Sequence, residues 1–95
     1  MLEMLLNMYR KAIREREAAD FRAYVGDLTC QEYNEEDLRS TFLKAQGRAD
    51  ALLEVINTFG NEASERAHVI HHGIMVEYEL KYQKIENDFI TEMRD

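Results

Sequence analysis

The sequence predicts an all-α protein, a bundle of three helices within one domain that spans residues 1–95. The chain has no proline and only four glycines, so it contains long segments without a helix breaker. Apolar residues recur at spacings of three and four along most of these segments, which is the spacing of one helix face. Short breaks at Gly26–Asp27 and Gly60–Asn61 divide the chain into three such segments.

The first predicted helix runs from about residue 2 to residue 24. Its apolar side carries Leu2, Leu5, Leu6, Tyr9, Ala12, Ile13, Ala19 and Ala23. Its other side is basic and carries Arg10, Lys11, Arg14 and Arg22. Because Glu15, Glu17 and Asp20 interrupt this basic run, we interpret it as a solvated face rather than a nucleic-acid contact. Gly26 and Asp27 are predicted to end the helix.

The second predicted helix, from about residue 34 to residue 59, has the clearest heptad pattern. Its apolar positions follow alternating steps of four and three: Leu38, Phe42, Ala45, Ala49, Leu52, Ile56 and Phe59. Two N-terminal caps compete, a capping box from Thr29 to Glu32 and a single cap at Asn34. Gly60 supplies a stop and Asn61 a new cap, so we predict an antiparallel hairpin with the next helix.

The third predicted helix, from about residue 62 to residue 93, is apolar on two faces. One face follows an eleven-residue repeat, which places Ala63, Ile74 and Ile85 in one row, Ala67, Tyr78 and Phe89 in the next, and His71, Tyr82 and Met93 in the third. We call the other face the outer seam. It follows steps of four and three through Val69, Gly73, Val76, Leu80, Gln83, Asn87 and Ile90. A helix with two apolar faces needs neighbours on both sides, so we predict that this helix is central.

The pairing of the hairpin follows from residue sizes. In a register where opposed residue numbers sum to about 123, small residues face large ones at three pairs: Ile56 with Ala67, Ala49 with Ile74 and Ala45 with Tyr78. The same register places Leu52 opposite Ile70. This leaves the outer seam uncovered by the second helix. Because a chain of this size buries a modest core, we expect a homo-oligomer that associates through the outer seam, at Val69, Val76 and Leu80, or through the first helix.

The charge balance restricts the partners. The formal net charge is −7, which argues against direct binding to nucleic acid and favours a protein partner with a basic surface. The predicted hairpin brings two acidic clusters to its open end, and negative charge near a helix C-terminus is locally unfavourable. We therefore predict a partner-binding patch formed by Glu35, Glu36, Asp37, Glu86, Asp88 and Glu92.

Candidate catalytic and metal-binding residues are few. His68 and His72 lie one helical turn apart and Glu65 precedes them, which is a spacing that can hold a metal. The motif of zinc proteases is missing, however, because Val69 follows His68. His71 falls near the core face and is expected to bond to a backbone group. Cys30, the only cysteine, has no partner that the sequence identifies, so we expect no catalytic residue, no metal and no cofactor.

The sequence as a whole predicts a non-enzymatic, cytoplasmic protein that binds another protein. The apolar start, residues 1–8, is too short to span a membrane and lacks the leading basic residues of a secretory signal. Small acidic helical proteins include phage-encoded inhibitors that occupy the basic site of a nucleic-acid-binding protein, an analogy of charge and size alone. Two alternatives remain, a ligand- or metal-binding bundle centred on Glu65, His68 and His72, and a purely structural oligomerisation module.

Overall fold

The computed structural model describes residues 1–94, and these residues form three α-helices. Helix α1 spans Leu2–Thr29, α2 spans Glu35–Asn57 and α3 spans Asn61–Arg94. The Cα atoms extend over 54 × 25 × 14 Å, so the bundle is elongated and flattened. The all-α prediction is therefore confirmed, as is the division of the chain into an N-terminal helix and two further helices.

Helix α1, and not α3, is the central helix of the bundle. It packs most extensively against α2, it also packs along α3, and the contact between α2 and α3 is the smallest of the three. Leu6, Tyr9, Ala12 and Ile13 of α1 are all buried in the shared core. The prediction that α3 is central was wrong because a periodic pattern identifies apolar faces without identifying what covers them.

The direction of α3 relative to α1 follows from their side-chain contacts. Contacting residues are separated by 62 or 63 positions along the whole length of α1, so the two helices run parallel. These contacts join Glu3 to Arg66, Arg14 to Glu77, Asp20 to Tyr82, and Tyr24 to Glu86. Helix α2 runs antiparallel to α1, since Arg16 contacts Gln46 while Glu15 contacts Arg48.

The predicted apolar faces of α2 and α3 do point inward. Ala45, Ala49 and Ile56 of the α2 heptad are buried, although Phe59 lies beyond the end of the helix and is exposed. On α3 the eleven-residue repeat is buried at Ala63, Ala67, Ile74 and Tyr78. Ala49 and Ile74 belong to one core cluster, against which Leu52 and Ile70 pack. The pairwise register of α2 with α3 stays a prediction.

The end of α1 differs from the prediction. The helix continues through Gly26 to Thr29, and Cys30 then takes a left-handed conformation with a φ of 58°. The Gln31 N–H donates to the carbonyl of Gly26, as in a Schellman C-terminal cap, and the Cys30 N–H donates to the same carbonyl, as in the αL cap. Gly26 thus lies inside the cap of the helix rather than beyond its end.

The caps of the next two helices discriminate between the sequence alternatives. The Asn34 side chain accepts a hydrogen bond from the Asp37 backbone N–H at 3.0 Å and caps α2. Thr29 instead donates to the Val25 carbonyl at 2.7 Å, so the capping box was wrong. At the following turn Gly60 has a φ of 108°, and its carbonyl accepts from the Ser64 N–H. Gly60 therefore occupies the cap position of α3. Asn61, which was predicted to be the cap, is the first residue of the helix.

Candidate functional site

A buried polar cluster joins the three helices near the middle of the bundle. Arg16 of α1 is 9% exposed, and its guanidinium donates to Glu17 Oε1 at 2.8–2.9 Å. The same group donates to Gln46 Oε1 of α2 at 2.8 Å and to His71 Nε2 of α3 at 3.1 Å. A buried charge must be paired and hydrogen-bonded, and these three partners satisfy that requirement. Arg16 lies at helical spacing on the apolar side of α1, four residues after Ala12 and three before Ala19, and this position is a signal of burial that the sequence analysis did not use.

His71 is held neutral by this cluster. Burial lowers the pKa of His71, and the positive charge of Arg16 lowers it further. Arginine only donates hydrogen bonds, so Nε2 of His71 must carry a free lone pair to accept one. His71 was predicted to bond to a backbone group, and its partner is instead the Arg16 side chain. Protonation of His71 would remove this acceptor and place two positive charges in contact.

An aromatic cluster fixes the C-terminal half of α1 against α3. Phe21 contacts Tyr78 and Tyr82 edge to face, with ring centroids 5.9 and 5.1 Å apart, and Tyr24 packs on Tyr82 at 4.8 Å. The Tyr24 hydroxyl donates to Glu86 Oε1 at 2.5 Å, and this bond raises the pKa of Tyr24. Burial, together with a hydrogen bond to Asp20, raises the pKa of Tyr82. Both hydroxyls therefore remain protonated donors at neutral pH.

The six acidic residues predicted to bind a partner are all exposed, and we call them together the acidic end. Glu35, Glu36 and Asp37 form the first turn of α2, while Glu86, Asp88 and Glu92 lie in the last third of α3. The C-terminal segment of α1 lies near both groups: Asp27 lines the same cleft as Glu35, and Tyr24 bonds to Glu86. The two groups were expected to meet through α2 and α3 directly. In the structure, α1 connects them.

Two cations form weak ion pairs with carboxylates of the acidic end. Arg39 lies 3.7 Å from Glu35 and Lys84 lies 3.5 Å from Asp88, in both cases within one helix and largely exposed. Such exposed pairs contribute little to stability, typically less than about 1 kcal/mol. The carboxylates at this end thus retain most of their negative field.

Two of the five basic residues of α1, Arg14 and Arg16, form ion pairs. Arg14 bonds to Glu77 at 2.7 Å, and Arg16 pairs with Glu17 in the buried cluster. Two more ion pairs join the helices, Arg48 with Glu15 and Arg66 with Glu3. Charge is therefore more nearly balanced in the N-terminal half of the bundle than at the acidic end.

The outer seam of α3 is uncovered along its whole length. Val69 is 68% exposed, Val76 40% and Leu80 60%, and the other four positions of the seam are also exposed. Helix α1 lies on the opposite side of α3, against Ile74 and Tyr78. The predicted interface residues thus form an accessible apolar strip, and their role in self-association stays a prediction.

The histidine and cysteine candidates lie in solvent. His68 and His72 are exposed and stack with ring centroids 6.4 Å apart, and Glu65 is exposed beside them. Within residues 1–94 no three His, Cys, Asp or Glu side chains are grouped in a way that could hold a metal ion. Cys30 is an exposed free thiol at the end of α1.

The fold and these surfaces define an all-helical three-helix bundle with an acidic end and an exposed apolar strip. Comparison of the chain with protein-family models, with curated proteins and with solved structures finds no match. Among the described residues, no helix combines the length and the apolar character needed to cross a membrane.

Proposed function

We propose that this protein is a non-enzymatic, cytoplasmic binding protein that docks its acidic end onto a basic surface of another protein. The observation that carries this proposal is the uneven pairing of charge. Arg14, Arg48 and Arg66 form ion pairs between helices, whereas the six carboxylates of the acidic end are exposed, and the ion pairs seen there among the described side chains, Arg39 with Glu35 and Lys84 with Asp88, lie within one helix.

Local electrostatics supports a role for α3 in particular. Acidic residues in the first turn of α2 are favoured by the helix dipole, typically by about 0.3–1 kcal/mol each, so helix stability alone accounts for them. Glu92 lies in the last turn of α3, where the same dipole disfavours negative charge, and Glu86 and Asp88 lie up to about two turns before it. Tyr24, a neutral donor, is the side chain of α1 that bonds to Glu86. The helix dipole thus does not account for the carboxylates of α3, which supports a function outside the fold.

The class of partner follows from the charge and shape of the bundle. A rigid helical end with a dense negative field resembles the phosphate backbone in charge, so a nucleic-acid-binding protein with a basic site is the partner that it fits best. Occupation of that site would exclude nucleic acid by direct competition. The affinity and the association rate should both fall as salt concentration rises.

The test is a matched pair of charge reversals. The first variant carries Glu86→Lys, Asp88→Lys and Glu92→Lys at the acidic end. The control carries Glu54→Lys, Glu62→Lys and Glu65→Lys, three exposed positions at the opposite end of the bundle. Both variants change the net charge by the same amount, so a difference between them reports the position of the charge.

Binding is measured by capturing partners on immobilised wild type and titrating the purified partner against each variant. We expect the acidic-end variant to lose at least about tenfold in affinity at low salt, and the control to bind within about threefold of wild type. A partner with a basic nucleic-acid site, displaced by added nucleic acid, supports the inhibitor proposal. Equal binding by the two variants would contradict it. Circular dichroism establishes that both variants remain helical.

A further inference from the structure

The outer seam of α3 has the sequence pattern of one strand of a coiled coil. Its residues alternate by four and three, so they occupy two heptad positions. Position a carries Gly73, Leu80 and Asn87, while position d carries Val69, Val76, Gln83 and Ile90. The seam covers three heptads, roughly 32 Å at the α-helical rise of 1.5 Å per residue. All seven residues of the outer seam are exposed, and the residues that face the bundle core lie on the other side of the helix.

We propose that this seam pairs with the same seam of a second copy of the chain, in a parallel and in-register coiled coil. The seam fits a second copy of the chain because identical residues then meet at each a and d position along the two helices. In register, Val69, Val76, Leu80 and Ile90 each meet their own apolar equivalent. The two amides, Gln83 and Asn87, each meet an amide that can accept and donate hydrogen bonds.

The antiparallel alternative matches less well. If two seams were paired antiparallel about Leu80, Val76 would face Gln83 of the other copy and Gly73 would face Asn87. Each amide would then be placed against an apolar group without a hydrogen-bonding partner, which costs free energy on burial. A polar Asn at position a specifies register and a defined oligomer state in coiled coils, and Asn87 occupies that position.

The charges that flank the seam also favour the parallel arrangement. Glu79 precedes Leu80 and Lys84 follows it by four, so in a parallel pair Glu79 of one copy lies beside Lys84 of the other, twice per dimer. Lys84 is free to move because its contact with Asp88 is 3.5 Å long and largely exposed.

A parallel dimer would place the two acidic ends side by side. Their mutual repulsion opposes association and is reduced by salt. The dimer therefore forms more readily as salt concentration rises, in contrast to the salt-weakened partner binding proposed above. Dimerisation does not require that the acidic end bind a partner, and each proposal can fail while the other holds.

The oligomeric state is tested by sedimentation equilibrium on the full chain at concentrations up to about 200 µM, a range that detects weak interfaces. The wild type should show the mass of a dimer at the upper concentrations. Val76→Glu with Leu80→Glu should weaken dimerisation at least about tenfold. The control, Leu43→Glu with Val55→Glu, changes two exposed apolar residues of α2 and should leave dimerisation unchanged. A monomeric wild type over this range, or equal effects of the two double variants, would overturn the proposal.

The orientation is tested by cysteine crosslinking and by a charge swap. In a Cys30→Ser background, Gln83→Cys should form a disulfide-linked dimer under mild oxidation, because position 83 meets itself only in the parallel register. Glu79→Lys and Lys84→Glu should each weaken dimerisation, and the two together should restore it. Failure of Gln83→Cys to crosslink, with crosslinking of Val76→Cys to Gln83→Cys in a mixture, would assign the antiparallel arrangement instead. Circular dichroism shows that every variant is folded.

Discussion

Replacement of Gly26 by Ala provides a sharp test of the packing at the end of α1. In the interior of a helix this substitution ordinarily stabilises a protein by up to about 1 kcal/mol, because Ala has the higher helix propensity. Here a Cβ atom at position 26 would lie 2.3 Å from Cδ1 and 2.6 Å from Cε1 of the Tyr33 ring. Carbon atoms in contact are ordinarily about 3.5–4.0 Å apart, so the ring would have to move by more than about 1 Å.

The Tyr33 ring cannot move without breaking other contacts. Its hydroxyl donates to Asp27 Oδ1 at 2.5 Å, and the Arg22 guanidinium lies 5.8 Å from the ring centroid. Overpacking of this kind costs about 1–3 kcal/mol, which exceeds the gain in helix propensity. We expect Gly26→Ala to lower the free energy of unfolding by up to about 2 kcal/mol, since the two effects oppose each other.

The assay is urea unfolding followed by circular dichroism, with Gly47→Ala as the control. Gly47 lies in α2 with nothing within 4 Å of its Cβ position, so its replacement should stabilise the protein by up to about 1 kcal/mol. In a Tyr33→Ala background, Gly26→Ala should also become stabilising, because the clash is removed. If Gly26→Ala stabilises the wild type as much as Gly47→Ala does, the proposed contact with Tyr33 is wrong.

Three further predictions concern the core and its titratable groups. The pKa of His71 is lowered in the folded protein, so its stabilising contribution is present above the unfolded value of about 6.5 and is lost as the pH falls below it. Arg16 and Glu17 of α1, Gln46 of α2, and His68 and His72 of α3 surround this group. We expect urea unfolding to show a larger loss of stability between about pH 7.5 and pH 5 for the wild type than for His71→Gln, and parallel pH profiles would contradict the assignment. Ile74→Ala should cost about 2–5 kcal/mol in the same assay because Ile74 is buried, whereas Leu43→Ala should change stability by less than about 0.5 kcal/mol; similar effects would refute this core assignment. A chelator should leave the melting temperature unchanged, and a large fall would show that a bound metal stabilises the fold.

Local signals in the sequence were sufficient to predict the three helices and their inward faces. The α2 heptad from Leu38 to Ile56 and the eleven-residue repeat of α3 both depend on contacts between side chains three and four residues apart, which a helix brings together by itself. For the same reason the outer seam could be recognised as apolar before its exposure was known. The acidic end could be identified from composition, although α1, which connects its two halves, could not.

The tertiary structure decided which helix is central and which polar groups are buried. Arg16 meets Gln46 and His71 across 30 and 55 residues, and although its spacing places it on the apolar side of α1, no local pattern identifies these distant partners. Gly26 resembles a helix stop in sequence, yet the Tyr33 ring requires it inside the helix cap. The sequence by itself determined the helices and their apolar faces, because these depend on neighbours along the chain. The arrangement of the helices depends on which distant faces fit together, and only the folded chain brings those faces into contact.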